Sequence, residues 1–351
     1  TGIDLLRQVP SITIDQNDNI LLRGDGNVTL LIDGRPSAMA VSEFMKQIPA
    51  SAIDKVEIIT NPSAKYDPEG MSGIINIVLK KNKLEGFNGN ISTSIGYGVF
   101  PKARGSVTLN YRKDKVNVTG SYRYNYSKVW FGGDMERDVL LDTIWDRLRS
   151  DDYGERLTQS HSGSVGVDYF LNDYNTIYGS VSYNRGLTLG SRNINYRNLD
   201  VNDLVLDYSN RSGNIEAGND NIVMNGGWQK TFKKPDHTLD LDINYAANEL
   251  ATDERLDHYY FDEVDWNYLN SYQNTAESNA TSNMLSKLDY VLPITDSLML
   301  ESGVHFTLRG TNNGFYSESA VEDEGFSPDV QLNNSFDYNQ NVLASYVTLA
   351  R

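Results

Sequence analysis

"NPSAKYDPEGMSGIINIVLKKNKLEGFNGNISTSIGYG", Asn61 to Gly98, changes character in its middle. Up to Lys83 it reads as the end of a small mixed domain whose last apolar strand is Ile74 to Leu79. From Glu85 onward the apolar residues fall on every second position. Phe87, Ile91, Ile95 and Tyr97 share one parity, and Asn88, Asn90, Ser92 and Ser94 share the other. Such alternation marks a strand with one face toward an apolar medium and the other toward water. The chain therefore divides into residues 1–84 and 85–351.

The same habit recurs to the end of the chain. Val107, Leu109 and Tyr111 form one set; Val116, Val118, Tyr122, Tyr124 and Tyr126 form the next. Further sets are Val165, Val167, Tyr169; Ile177, Val181, Tyr183; Ile222, Met224, Trp228, Phe232; and Leu239, Leu241, Ile243, Tyr245. Met284, Leu288, Tyr290, Leu292 and then Leu298, Leu300, Val304, Phe306, Leu308 follow, and a tenth strand is expected near Val342 to Leu349. The intervening positions carry Gly, Ser, Asn, Asp and Thr, as a face lining a watery lumen would.

Connections alternate as well. The short turns "RKDK", "LNDYN", "KKPDH" and "PITDS" take turns with long polar segments at 127–155, 190–214, 250–275 and 310–336, which read as loops. Short turns at one end and long loops at the other belong to outer-membrane barrels. Tyr169, Phe170, Tyr174, Tyr178, Phe232 and Tyr290 lie beside the short turns and are expected to form an interfacial aromatic girdle. The competing reading is a soluble β-sandwich or solenoid, which strands of this length disfavour.

Composition agrees. No apolar run approaches the ~20 residues of a membrane helix, and the mean hydropathy is −0.48, but alternating barrel strands keep that mean low. The absence of Cys excludes disulfides and thiolate chemistry. A net charge of −16 argues against nucleic acid as a partner. Residues 1–84 carry nine basic and ten acidic side chains, while 129–155, 250–275 and 310–336 each come to −5, so the acidity is concentrated in the long polar segments.

The first 84 residues read as α+β. A helical turn is expected over Asp4 to Val9, strands over Ser11–Asp15, Ile20–Arg23, Val28–Asp33, "IDKVEIIT" and Ile74–Leu79, and a helix over Ser42–Ile48. "DLLRQVPSITIDQNDNILLRG", "VTLLIDGRP" and "IPASAIDKVEIITNPSAKYDPEGMSGIINIVLKK" resemble the plug domain of TonB-dependent outer-membrane receptors, of the plug-plus-barrel group called the outer-membrane protein β-barrel family. The distinctive motifs cover about the first 84 residues, and the remainder matches in pattern.

The resemblance implies an α+β plug followed by antiparallel transmembrane β-barrel strands, the front part of a 22-stranded barrel in a Gram-negative outer membrane. Geometry agrees with a larger barrel: an 80-residue plug is ~30 Å across, whereas ten strands close to about 18 Å and twenty-two to ~40 Å. The chain is accordingly expected to be the front of a longer protein.

Two plug loops are candidate ligand contacts by the same resemblance. "IDGRP" supplies Arg35 and Pro36, against the simpler reading of a tight turn in the plug sheet. "NPSAKYDPEG" supplies Lys65, Tyr66 and Asp67, against a fixed loop packed on the barrel wall. "RGD" at Arg23 to Asp25 reads as a strand end rather than an adhesion motif. The four His are too dispersed for a metal site, and no catalytic fingerprint occurs, so neither an enzyme nor a resident cofactor is expected. "DEVDW" (Asp262 to Trp266) and "VEDEGFSPD" (Val321 to Asp329) offer hard oxygen ligands for Ca²⁺, against the simpler reading of solvated loops.

The expected function is binding a scarce nutrient at the external face and importing it by plug rearrangement driven through TonB. The expected partners are outer-membrane lipid, a TonB-type periplasmic energy-coupling protein, the nutrient, and a surface lipoprotein or other outer-membrane protein. The alternative is a non-transporting barrel that serves as a scaffold in a membrane assembly.

Overall fold

The computed structural model describes residues 6, 9, 11–14, 20–25, 28–32, 35–36, 53–59, 73–79, 86–141, 144–262, 267–295, 298–322 and 324–350. The first part is a hairpin, β1 (Ile12–Ile14) with β2 (Ile20–Leu22), beside a four-stranded sheet. That sheet has the order β4 (Arg35–Pro36), β3 (Val28–Ile32), β6 (Gly73–Leu79), β5 (Ile53–Ile59), with β3 and β6 parallel and the other pairs antiparallel. The apolar runs read from the sequence supply its core: Leu6, Ile12, Ile20, Leu22, Ile53, Ile75 and Ile77 pack together.

"RGD" is the tight turn after β2. Arg23 and Gly24 take φ of 54° and 86°, and Leu22 and Asp25 exchange both backbone hydrogen bonds. Arg35 and Pro36, expected within a turn, instead form β4, where Arg35 pairs with Ile32 and Pro36 with Leu31. Val9 N–H donates to the Leu6 carbonyl, which closes the turn expected near the N-terminus. The helix expected over Ser42–Ile48 lies outside the described residues.

The second part is one antiparallel meander. Its strands are β7 (Gly86–Tyr97), β8 (Pro101–Lys113), β9 (Val116–Leu141), β10 (Ile144–Asn172), β11 (Asn175–Leu199), β12 (Val205–Thr231), β13 (Thr238–Asp262), β14 (Asn267–Thr295) and β15 (Leu298–Val321). The two-residue β16 (Ser327–Pro328) and then β17 (Asn334–Ala350) both pair with β15. Ten long strands match the expected number. Among the described residues β7 pairs only with β8, and β17 only with β15, so both edges of the sheet are open.

Strand length departs from the expectation. β9 to β15 run 24 to 29 residues, about 80 Å of chain, whereas a tilted strand crosses a bilayer in ~10 residues. The segments 127–155, 190–214 and 250–275, read as loops, are strand over most of their length: β9 runs to Leu141 and β10 starts at Ile144, β11 runs to Leu199 and β12 starts at Val205, and β13 runs to Asp262 and β14 starts at Asn267. Only 310–336 keeps a substantial connection, between Val321 and Asn334. Outside lipid a hairpin needs no apolar alternation, because its backbone bonds and cross-strand pairs suffice.

Those pairs are present. Arg149 and Glu136 are register partners joined at 3.0 Å, as are Arg147 and Asp138 at 2.8 Å. Asn274 donates to Glu318 at 2.9 Å, again directly opposite. The acidity therefore lies on strands as much as in loops.

Alternation fixes two faces. One cross-strand row reads Phe87, Tyr111, Val118, Val167, Gly179, Gly226, Ile243, Ser286, Phe306, Leu343. The neighbouring row reads Gly89, Leu109, Gly120, Val165, Val181, Met224, Tyr245, Met284, Leu308. On β13 this apolar band extends from Leu239 to Ala247, about 27 Å of strand and ~20 Å along the normal at barrel tilt. Its side chains are solvent-facing in the isolated chain, with Ile91 77% and Val347 76% exposed, as a lipid-contacting band must be. Of the expected girdle, Tyr169 and Tyr174 are exposed at the short turns, and Phe232 stacks on His237, which bonds the Tyr290 hydroxyl at 3.0 Å. Phe170 and Tyr178 do not join it: register places them on the opposite face, where Arg112 covers the Phe170 ring and Tyr178 donates to Asp242.

Two predictions follow from these contacts. Asn76 Nδ2 donates to Glu57 at 2.7 Å and Lys55 pairs with it at 2.5 Å, so the ammonium and amide hold Glu57 below the ordinary glutamate value of 4.5. A depressed carboxylate stabilises the fold above its unfolded value and loses that contribution as pH falls through the folded one. Glu57→Gln is expected to flatten the acid loss of β5–β6 amide protection between about pH 3 and 5, measured by hydrogen exchange on the whole protein. In the sheet, a Cβ on Gly303 would strike Asp289 Oδ1 and lie 2.5 Å from the Tyr346 ring, while Gly314 has open space. Gly303→Ala is expected to destabilise by roughly 1–3 kcal/mol and Gly314→Ala by under about 0.5 kcal/mol, read from denaturation midpoints of the folded protein in detergent.

Candidate functional site

The face opposite the apolar band is predominantly polar, as the wall of a lumen would be once the sheet curves. Near the short turns, Asn88, Asn110, Asn117 and Asp168 pass hydrogen bonds across four strands at 3.5, 2.9 and 3.1 Å. Further out, Ser121 bonds Ser164 at 2.7 Å and Ser162 donates to Asn184 at 2.6 Å. Small hydroxyl and amide side chains at this parity satisfy one another laterally and leave the wall wettable.

Two Tyr–Gly–Asp crossings strengthen the short-turn end. Tyr178 on β11 reaches over Gly227 on β12 to Asp242 on β13. Tyr346 on β17 reaches over Gly303 on β15 to Asp289 on β14, at 2.8 Å. Each glycine stands where any Cβ would block the phenol. Asp289, 1% exposed, also bonds His305 Nε2 at 2.9 Å. A buried carboxyl group held by two partners suits a rigid wall.

Cations collect on the outer part of the same face. Lys102 and Arg104 on β8, Arg123 on β9 and Arg156 on β10 all share its parity. Lys102, Arg104 and Arg156 are exposed and Arg123 is half-buried. Beyond them Asp152 is engaged by Arg192 through both carboxylate oxygens, at 2.9 and 2.6 Å, which holds its pKa below the usual aspartate range.

A shallow open groove lies on the other face, where Ala247, Ala280, Ser282 and Gly310 leave room between Tyr183 and Asn339. It sits at the rim of the lipid-facing band rather than in the lumen, so its shape reflects small residues and not a built pocket.

Of the residues expected to touch ligand, Arg35 and Pro36 form the short edge strand β4. Lys65, Tyr66 and Asp67 lie outside the described residues, so the structure does not bring the two groups together. Among the described residues no three His, Asp or Glu side chains converge as a metal cage. In the segment read as a Ca²⁺ loop, Asp329 accepts from Ser317 Oγ at 2.5 Å and Ser319 Oγ at 2.6 Å. The lumen cations carried a signal that sequence reading passed over: each sits at the parity opposite to the apolar residues of its strand.

Comparison with known proteins gives two family matches. Residues 1–74 match the TonB-dependent receptor plug domain, and residues 230–351 match the outer membrane protein beta-barrel family. Among solved structures, the ferric yersiniabactin uptake receptor FyuA from Yersinia pestis is 15% identical, with a TM-score of 0.34 over 99% of this chain and 59% of that one. The siderophore receptor PiuA from Acinetobacter baumannii is 12% identical, with a TM-score of 0.39 and the same coverages. The chain thus spans 59% of the length of these two proteins, and overlays this loose do not bear on its ligand. With a TonB-dependent receptor plug match over residues 1–74, an outer membrane beta-barrel family match over 230–351 and a two-faced antiparallel meander between, the chain has the make-up of a TonB-dependent receptor of the Gram-negative outer membrane.

Proposed function

We propose that this protein captures a nutrient at the cell surface and admits it through the lumen when the plug is rearranged by a TonB-type energy-coupling protein. The observation that carries the proposal is the pairing of a separately cored small domain, matching a receptor plug, with a sheet that is apolar on one face and hydrogen-bonded polar on the other. A barrel that merely anchored an assembly would have no need of a plug or of a wettable inner wall. Transport here requires no covalent chemistry. A partner supplies the work, and the plug has two positions with different contacts.

The open edges at β7 and β17 bear on the size of the pore. Unpaired amides are intolerable in hydrocarbon, so the sheet closes through further strands, and accommodating a plug of ~80 residues calls for about twenty-two of them. The division at 84/85, between β6 and β7, then separates plug from wall. Arg35, Pro36, Lys65, Tyr66 and Asp67 remain the plug positions proposed to meet the ligand, and the surface hairpins are the natural place for a lipoprotein or Ca²⁺ to dock.

The test is solute depletion from defined medium by three strains: one with the full-length gene, one without it, and one with the gene but lacking the energy-coupling protein. At least one solute should disappear only with the first strain. Identical depletion by all three, with the protein folded in the outer membrane, would overturn the proposal.

A further inference from the structure

The lumen-facing cations stand out against the charge of the chain, which carries 47 acidic and 31 basic side chains. By register, among the described side chains of β8 to β11 the carboxylates on the lumen face are Asp152 and Asp168. Asp168 accepts from Asn117, and Asp152 is taken by Arg192. Neither is register-paired with Lys102, Arg104 or Arg156.

On the opposite face of the same hairpins cations behave differently. Lys128 pairs with Glu155 at 2.6 Å, Arg147 with Asp138 at 2.8 Å, Arg149 with Glu136 at 3.0 Å, and Arg197 with Asp151. On the lumen side Arg104 Nε donates to the neutral Asn125 Oδ1 at 3.0 Å, which orients the guanidinium without discharging it. Lys102 and Arg156 stand exposed with no carboxylate in salt-bridge range among the described residues.

The spacing is that of a site rather than a scatter. Lys102 and Arg104 are two residues apart on one strand, about 7 Å, and β10 lies two strands away, about 10 Å. Between them the rows carry hydrogen-bonding groups of no charge: Ser127 and Thr158 beside Lys102, and Asn125 and Ser160 beside Arg104. Like charges this close repel one another, and a wall turned from the lipid offers no headgroup to offset them. A bound anion does.

We infer that Lys102, Arg104 and Arg156 form an anion-binding strip on the lumen wall, and that the solute admitted carries at least two carboxylate, phosphate or sulfate groups. This rests on the lumen reading of the polar face. It does not depend on energy coupling, since binding precedes any movement of the plug, and an importer of neutral solutes would satisfy the proposed function while failing here. The site takes a soluble anion, because lipid contacts the other face.

The test is calorimetric titration of the full-length protein, purified in uncharged detergent, with inorganic tripolyphosphate, and with maltotriose as the uncharged comparison. Saturable tripolyphosphate binding is expected, weaker at about 200 mM than at 50 mM salt. The double variant Lys102→Gln with Arg156→Gln should lose roughly tenfold or more in affinity. Arg185→Gln, on the lipid-side face and 4.0 Å from Asp220, should change it by less than about twofold. Should the double variant fail to fold, the single variants carry the test, each with roughly a threefold loss. Absence of tripolyphosphate binding, equal binding of maltotriose, or a loss as large in Arg185→Gln would overturn the inference.

Discussion

Every amide and carbonyl placed in hydrocarbon has to find its partner within the protein, because no water is there to supply one. That requirement is met in this chain by unbroken antiparallel pairing from β7 to β17, where nearly every residue of each strand has a register partner. The remaining features of the wall follow from it. Strict register holds side chains to two faces, the faces separate lipid from lumen, and the glycines at Gly227 and Gly303 appear where a tyrosine has to cross a strand within that register.

The hairpins carry the same pairing into water with a different side-chain logic. Within the membrane, alternation of apolar and polar residues sets the register. Beyond it the opposed charges of Arg149 with Glu136 and Arg147 with Asp138 do so, each pair contributing a few tenths of a kcal/mol. Exposed pairs of this kind stabilise little singly, and their number along β9 to β12 keeps the extensions in line. The extensions are therefore held in register by paired charges rather than by apolar alternation.

Much of this was legible from residue order. The strands of residues 1–84 fell where apolar runs predicted them, and ten wall strands were countable from parity. Turn chemistry was readable too: Asp114 and Asp236 take φ of 48° and 60° in the "RKDK" and "KKPDH" turns. What misled was treating lost alternation as lost structure, so that polar hairpin extensions passed for loops. Phe170 and Tyr178 misled in a related way, since an aromatic residue near a turn reads as a girdle member until register shows which side it occupies.

Parity is a local property, set by the geometry of the strand itself, and for that reason the sequence alone determined that a small mixed domain precedes a two-faced antiparallel wall. Which side chains meet across the wall depends on register between strands far apart in the chain, and no local pattern encodes it. Only the tertiary structure could set Tyr346 against Asp289, 57 residues away, or place Lys102 on β8 and Arg156 on β10 along one strip. Lateral hydrogen bonding assembled that strip from residues that are each unremarkable in their own strand.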